Sequence, residues 1–176
     1  MSFGKDAIMQ RERRIKHESK VKIRWVVLLI ILILGFTTFI IFHEAQKPMA
    51  TARRQTIQIA TKYADLKSTA TFYSSNLDRT YYSVAGKTNK NRAVYVIVAK
   101  KGGAVTVLDQ HSGITANRAR QLISQEKRPK KINNVGLTMI NHKPYWTVSY
   151  INGHDNLCFA TLSFKNGAIK KLIENI

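Results

Sequence analysis

The sequence predicts an α+β protein in which an apolar N-terminal helix precedes two tandem units, each a helix plus an antiparallel sheet. Three observations lead to this prediction. An uncharged, apolar run extends from Trp25 to Phe42. The region after it repeats itself, since positions 51–108 align with positions 115–172. Each half of the repeat has one helical pattern followed by short strands rich in β-branched and aromatic residues.

The apolar run is long enough to cross a bilayer. At a rise of about 1.5 Å per residue it covers roughly 27 Å, which is close to the hydrocarbon thickness, and it predicts a transmembrane helix over residues 25–43. A cleaved secretory signal is the alternative, but its apolar segment is usually about 7–15 residues long. The A-x-A candidate here, Ala50 and Ala52, lies well past the run. We therefore expect an uncleaved single-pass anchor.

The charges on either side of the run predict its orientation. Residues 1–24 form a basic tail with eight Lys and Arg against three Asp and Glu, whereas Glu44 and Lys47 cancel just after the run. The positive-inside rule then places the N-terminus in the cytoplasm and residues 44–176 outside the cell membrane. Cys158 is the single cysteine, so no intramolecular disulfide is possible.

The repeat aligns the two halves of the outer region without a gap. It predicts a first unit over residues 48–113 and a second over residues 114–176. The aligned segments, which share turns and apolar positions, are TARRQ (51–55) with TANRA (115–119), TYYSVAG (80–86) with PYWTVSY (144–150), and KKGGAVTVL (100–108) with FKNGAIKKL (164–172).

Each unit is predicted to contain one helix followed by an antiparallel meander. The first helix is predicted from about Met49 to Leu66, and the second begins after Gly113 with Thr115 as N-cap and stops before Pro129. Four strand patterns follow the first helix (TATFYSS, TYYSVAG, RAVYVIVAK and AVTVL) and four follow the second (NVGLTMI, PYWTVSY, LCFATLSF and AIKKL). A helix packed across a curved antiparallel sheet is the cystatin-like arrangement.

The alternation along the strands separates two faces. Val94, Val96 and Val98 form an apolar row suited to the helix-covered side, and their repeat partners include Cys158. Aromatic residues occupy the opposite face in both units, where one would expect solvent. Either the two units pack on each other through these rings or the rings bind a partner. The residues are Tyr81 and Tyr95 in the first unit, with Tyr145 and Phe159 at the matching positions of the second.

No pattern of catalytic residues is found. The signatures Ser-x-x-Lys, Gly-x-Ser-x-Gly and His-Glu-x-x-His are absent, and no two carboxylates are spaced like a glycosidase pair. His111, His142 and His154 are isolated in predicted turns, which does not suggest a metal site. We therefore expect neither an enzyme nor a cofactor.

The outer region is strongly basic. Residues 48–176 carry 20 Lys and Arg against 6 Asp and Glu, a net charge of +14. Such a domain attracts polyanions, among them lipid headgroups and cell wall polymers such as teichoic acid, while its topology argues against nucleic acid. A solvated surface is the simpler explanation. The candidate polyanion-binding residues are Lys87, Lys90, Arg92, Lys100 and Lys101 around one pair of strands, and Lys127, Arg128, Lys130 and Lys131 after the second helix.

The chain resembles the TseB/YpmB-like proteins of Gram-positive bacteria. The resemblance extends from about residue 25 to the C-terminus and rests on the basic tail, the single anchor and the tandem units. The most similar segments are TFYSSNLDRTYYSVAGKTNKNRAVYVIVAKKGG (71–103), ITANRARQLI (114–123) and KPYWTVSYINGHDNLCFATLSFKNGAI (143–169).

This resemblance implies two cystatin-like, PepSY-like domains in a regulator of cell wall elongation that acts on a transpeptidase, a penicillin-binding protein. The outer region is more basic than is expected of that family. Binding of an anionic envelope polymer is the alternative function, and inhibition of a protease by a cystatin-like wedge rests on fold analogy alone.

Overall fold

The computed structural model describes the backbone of residues 3–174 and the side chains of residues 25–39 and 48–174. The predicted α+β class is confirmed. The chain divides into two compact units, Met1–Met49 and Ala50–Ile176. The elements within the described backbone are α1 (Phe3–Ala64), β1 (Leu66–Asn76), β2 (Thr80–Thr88), β3 (Ala93–Ala99), β4 (Val105–Asp109), a 3-10 turn (Gln110–Ser112), α2 (Ala116–Lys127), β5 (Lys131–Ile140), β6 (Lys143–Ile151), β7 (Leu157–Ser163) and β8 (Ile169–Ile173).

The strands form two antiparallel meanders. The first sheet has the order β1-β2-β3-β4 and the second has the order β5-β6-β7-β8, so each strand pairs with its sequence neighbour. Short connections between neighbouring strands suit this topology, because antiparallel strands need only a tight turn between them. The tight turns use residues that tolerate a left-handed backbone, among them Asn141 (φ 48°) and Gly103 (φ 62°).

The repeat is visible in the central strands. All seven residue pairs that join β2 to β3 recur at the aligned positions of β6 and β7. The outer strands β1 and β5 differ in register. In the first sheet Ser74 pairs with Tyr82, so the alignment would pair Thr138 with Trp146. The structure instead pairs Trp146 with Leu137. β1 carries two register shifts and β5 carries one, which displaces their alignment by one position. The gapless alignment expected from the sequence therefore does not hold along β1 and β5.

The end of α1 covers one face of the first sheet. Ala60 is fully buried there against the row Val94, Val96 and Val98, which the sequence assigned to the helix-covered side. The predicted helix from Met49 to Leu66 differs from α1 at both ends, because α1 runs from Phe3 through Pro48 and stops at Ala64. It stops there because Asp65 adopts a left-handed conformation (φ 50°), which a helix does not continue.

The second helix begins where the sequence predicted. Thr115 is the N-cap of α2, and its side-chain oxygen accepts a hydrogen bond from the Arg118 N–H at 3.2 Å. α2 then buries Ala116, Ala119 and Ile123, three positions on one helical face. These residues join a core that also contains Cys158, so the cysteine occupies an apolar interior position, as its alignment with a valine suggested.

No helix in the described part of the chain is both long enough and apolar enough to cross a membrane. The predicted anchor over 25–43 extends past Phe39, and its last residues lie outside the described side chains. The side chains of the predicted basic tail, residues 1–24, lie outside them as well.

Candidate interaction surface

An aromatic core joins the two sheets. Tyr95 is 3% exposed and Trp146 is fully buried, and their ring centroids lie 5.3 Å apart in an edge-to-face arrangement. Tyr73 and Phe164 complete the cluster, with centroids 5.4 and 6.3 Å from that of Trp146. The Trp146 Nε1–H donates a hydrogen bond to the Ile114 carbonyl oxygen at 2.8 Å, which satisfies its one polar group.

This burial separates Tyr95 from the other three predicted aromatic residues. A ring at this depth holds the two sheets together, and a partner protein cannot pack on it in the folded protein. Desolvation raises the pKa of Tyr95 to about 12 and also raises the pKa of Tyr73, as burial of a phenol disfavours its charged form. Tyr73, Trp146 and Phe164 were not among the predicted contact residues, although Trp146 aligns with Tyr82 in the repeat.

Tyr145 and Phe159 lie on a different face. Their strand neighbours Trp146, Cys158 and Ala160 belong to the core that the two sheets and α2 form together, which we call the shared core. The two rings therefore project from the opposite side of the second sheet. Aliphatic residues accompany them on that side. We call this half-buried set the aromatic outer face; its residues are Tyr145, Ile151, Leu157, Phe159 and Ile173.

Cross-strand pairs make the aromatic outer face continuous at one end. Ile151 pairs with Leu157, and Phe159 pairs with Ile173, so two apolar rows are adjacent. Tyr145 lies four positions before Ser149, the β6 partner of Phe159, which places it about 13 Å away along the strand.

Lysines surround the aromatic outer face. Lys131 pairs with Ile151, and Lys171 pairs with Thr161, which places both on this side of the sheet. Lys143 lies two residues before Tyr145 and therefore shares its side. Among the described carboxylates near this sheet, Asp155 lies in a turn, and Glu174 accepts a hydrogen bond from Tyr150 of the opposite face at 3.4 Å. The outer face therefore combines apolar contact area with a positive rim.

Tyr81 occupies a third environment. It packs partly against the shared core and lines a cavity of about 410 Å³ between the first sheet and the β5–β6 hairpin. Arg79, Lys101 and His142 also line this cavity, together with Asp78. Tyr81 is therefore accessible from this groove, which Thr138, the cross-strand partner of Tyr145, also lines.

The predicted basic residues do not form one patch. Lys87, Lys90 and Arg92 lie near the β2–β3 turn, whereas Lys100 and Lys101 lie in the β3–β4 turn, at the other end of the seven-residue strand β3. At about 3.3 Å per residue, the two ends are roughly 23 Å apart.

Some of these basic residues are paired with acids. The distances are 3.3 Å for Arg92–Asp109, 3.6 Å for Lys127–Glu174 and 2.7 Å for Lys130–Asp155. The pKa of Asp109 is lowered, first by the hydrogen bond from the His111 backbone and then by Arg92. Within the described part of the chain, the other predicted basic residues make no such ion pair; these are Lys87, Lys90, Lys100, Lys101, Arg128 and Lys131.

The fold and surface define an α+β protein with two antiparallel sheets and a candidate contact face. Among the described side chains, no three His, Cys, Asp or Glu residues are grouped closely enough to hold a metal ion. Residues 55–99, from the end of α1 through β3, match the model of the cell wall elongation regulator TseB-like domain. This match confirms the resemblance to the TseB/YpmB-like family, and it supports a regulatory role in cell wall elongation.

The YpmB protein from Bacillus subtilis has a similar fold. Its structure matches this one with a TM-score of 0.58 and 24% sequence identity, over 69% of this chain and 95% of the YpmB chain. No curated protein sequence shows a significant match.

Proposed function

We propose that this protein is a membrane-anchored, non-enzymatic regulator of cell wall elongation that binds the extracytoplasmic part of a transpeptidase. The observation that carries this proposal is the match of residues 55–99 to the TseB-like domain, which is described as a regulator. A regulator of this kind acts through contact, so the proposal requires a surface on which a partner can be recognised.

The aromatic outer face has the properties of such a surface. Protein interfaces concentrate aromatic and aliphatic residues at their centre and polar residues at their rim. Phe159 and its neighbour Ile173 supply the apolar centre, and Lys131, Lys143 and Lys171 supply the rim. A positive rim favours a partner surface that carries carboxylates, and it accelerates the encounter more than it adds affinity.

The segment before the outer region supports the proposed anchor. Every large apolar side chain described between Trp25 and Phe39 is at least 48% exposed, and a bilayer is an environment that would cover them. Confinement to one membrane raises the effective concentration of two partners, so a weak contact can be occupied. Protease added to intact protoplasts should remove the outer region and leave the basic tail protected. Release of a soluble form beginning near Ala52 would exclude the anchor.

A crosslinking pull-down tests the transpeptidase contact. The full chain is tagged, crosslinked in living cells and recovered from membranes, and penicillin-binding proteins are detected with a labelled β-lactam. Y145A and F159A should each reduce recovery about tenfold, because truncation of a central aromatic contact typically costs about 1–2 kcal/mol or more. Y63A is the matched control, since Tyr63 is a tyrosine of α1 that is 65% exposed. Equal recovery for wild type and all three variants would refute the proposed surface.

Binding of an anionic envelope polymer is the second candidate function. It is favoured by the net charge of +14 over residues 48–176. Counterion screening separates the two functions: polymer binding should weaken steeply with ionic strength, whereas an interface centred on aromatic rings should change little.

A further inference from the structure

A cavity between the first sheet and α2 is separate from the aromatic outer face. Its volume is about 430 Å³, within the range of about 300–1,000 Å³ that is usual for small-molecule sites. It opens over the face of the first sheet that turns away from α1. The aromatic core fills that face around Tyr95, but towards Lys87 the sheet carries only small residues.

Small residues leave this space unfilled. Ala85, Gly86 and Ala93 line the cavity from the sheet, and Ala116 lines it from the first turn of α2. Lys87 pairs with Ala93 across β2 and β3, so the lysine stands on the same face at the edge of this floor.

The charged groups around the cavity are both cations, and its neutral polar side chains are hydroxyls and amides. Lys87 approaches from the sheet and Arg120 from α2, and no carboxylate is among the lining residues. Arg120 donates one N–H to the Asn117 side-chain oxygen at 3.1 Å, and a guanidinium carries five such donors. Tyr73 and Tyr95 add two phenol groups to the same wall.

We propose that this cavity binds a single phosphate or carboxylate group carried on a short uncharged chain. The two cations on opposite walls bind the oxyanion, and the alanine floor accommodates the chain. Charge-assisted hydrogen bonds from Lys and Arg to oxyanions are about twice as strong as neutral ones, and Arg can form two in parallel. A cavity of this size fits one anionic group with its attached chain, which distinguishes it from diffuse attraction of a polyanion to the whole basic surface.

Calorimetric titration of the full chain in neutral detergent tests this site. The probes are glycerol 3-phosphate and glycerate, with uncharged glycerol as the control ligand. We expect saturable binding of at least one anion with a Kd of about 1 mM or tighter, and no binding of glycerol. Titration with poly(glycerol phosphate) then tests whether the bound anion belongs to a polymer or to a free small molecule. If the polymer binds more tightly per phosphate group than glycerol 3-phosphate does, the polymer is the source of the anionic group.

Variants separate the cavity from the general positive field. K87Q and R120Q should each weaken binding about tenfold, because each removes a charge-assisted contact. K90Q is the matched control: Lys90 lies in the adjacent turn, is exposed and does not line the cavity, so its loss should change the Kd less than about twofold. A93F should fill the floor and abolish binding, and melting curves verify that each variant is folded.

Three results would overturn the proposal. The first is no saturation up to about 10 mM of either anion. The second is an equal loss of affinity in K87Q and K90Q, which would indicate a diffuse electrostatic effect. The third is unchanged binding of the anions by a folded A93F variant. If A93F does not fold, unchanged binding by both K87Q and R120Q takes its place. F159A should leave anion binding intact, so failure here and failure of the proposed transpeptidase contact are distinguishable.

Discussion

Substitution of Tyr95 by alanine tests whether this residue stabilises the core or binds a partner. The ring is 3% exposed and meets Trp146 and Phe164 at centroid distances of 5.3 and 6.0 Å. Removal of a buried aromatic side chain typically costs about 3–5 kcal/mol, which is a large part of the roughly 5–15 kcal/mol that stabilises an ordinary domain. For a unit of the size of Ala50–Ile176 this loss corresponds to a decrease in Tm of about 10–20 °C.

The assay is thermal unfolding of the full chain in detergent, followed by circular dichroism, with Y95F and Y63A beside Y95A. Y95F keeps the ring and loses only the hydroxyl, so it should cost about 1 kcal/mol. Y63A alters a tyrosine that is 65% exposed and should cost less than about 0.5 kcal/mol. If Y95A melts like wild type yet fails to bind the transpeptidase, then Tyr95 is a surface contact and the assignment of the shared core is incorrect.

Three further predictions concern the fold. G136A should destabilise the protein by about 1–3 kcal/mol in urea denaturation, because a Cβ at Gly136 would collide with the Ser74 carbonyl oxygen; a neutral result would show that the sheets do not approach this closely. T115A should lower the free energy of unfolding by about 1 kcal/mol and T115S by much less, because the threonine side-chain oxygen accepts a hydrogen bond from the Arg118 N–H. Equal losses in the two variants would contradict the cap. Burial holds the Tyr95 proton to about pH 12 in the folded state, whereas the unfolded phenol loses it near pH 10.0. The stability that Tyr95 contributes should therefore be complete below pH 10.0 and fall between these values, and Y95F should show a shallower decline than wild type over that window.

The strands and their pairing could be read from the sequence because local signals and the repeat agreed. The alternation in RAVYVIVAK predicts two faces, and the structure buries Val96 under α1 and Ile97 in the shared core. The start of α2 was predictable from Thr115 because an N-cap is a local interaction. The register of β1 could not be predicted from the repeat. β1 has two register shifts, after Leu66 and after Thr69, whereas β5 has one.

The environments of the aromatic residues could not be predicted, because they depend on how the two sheets meet. Tyr95 and Phe159 occupy matching positions in the repeat, yet one is buried against Trp146 and the other lies on the aromatic outer face. Two copies of one unit that pack together asymmetrically give equivalent residues different neighbours. The cavity near Lys87 was missed for the same reason, since Arg120 reaches it from the other half of the repeat.

A photocrosslinking amino acid placed at Phe159 in living cells tests the central claim most directly. If the aromatic outer face binds an elongation-phase transpeptidase, irradiation should link the full chain to a penicillin-binding protein at position 159 and at position 145. The same probe in place of Tyr63, the exposed tyrosine of α1, should give no such product. Crosslinks to a penicillin-binding protein of equal yield at all three positions, or at none of them, would contradict the account.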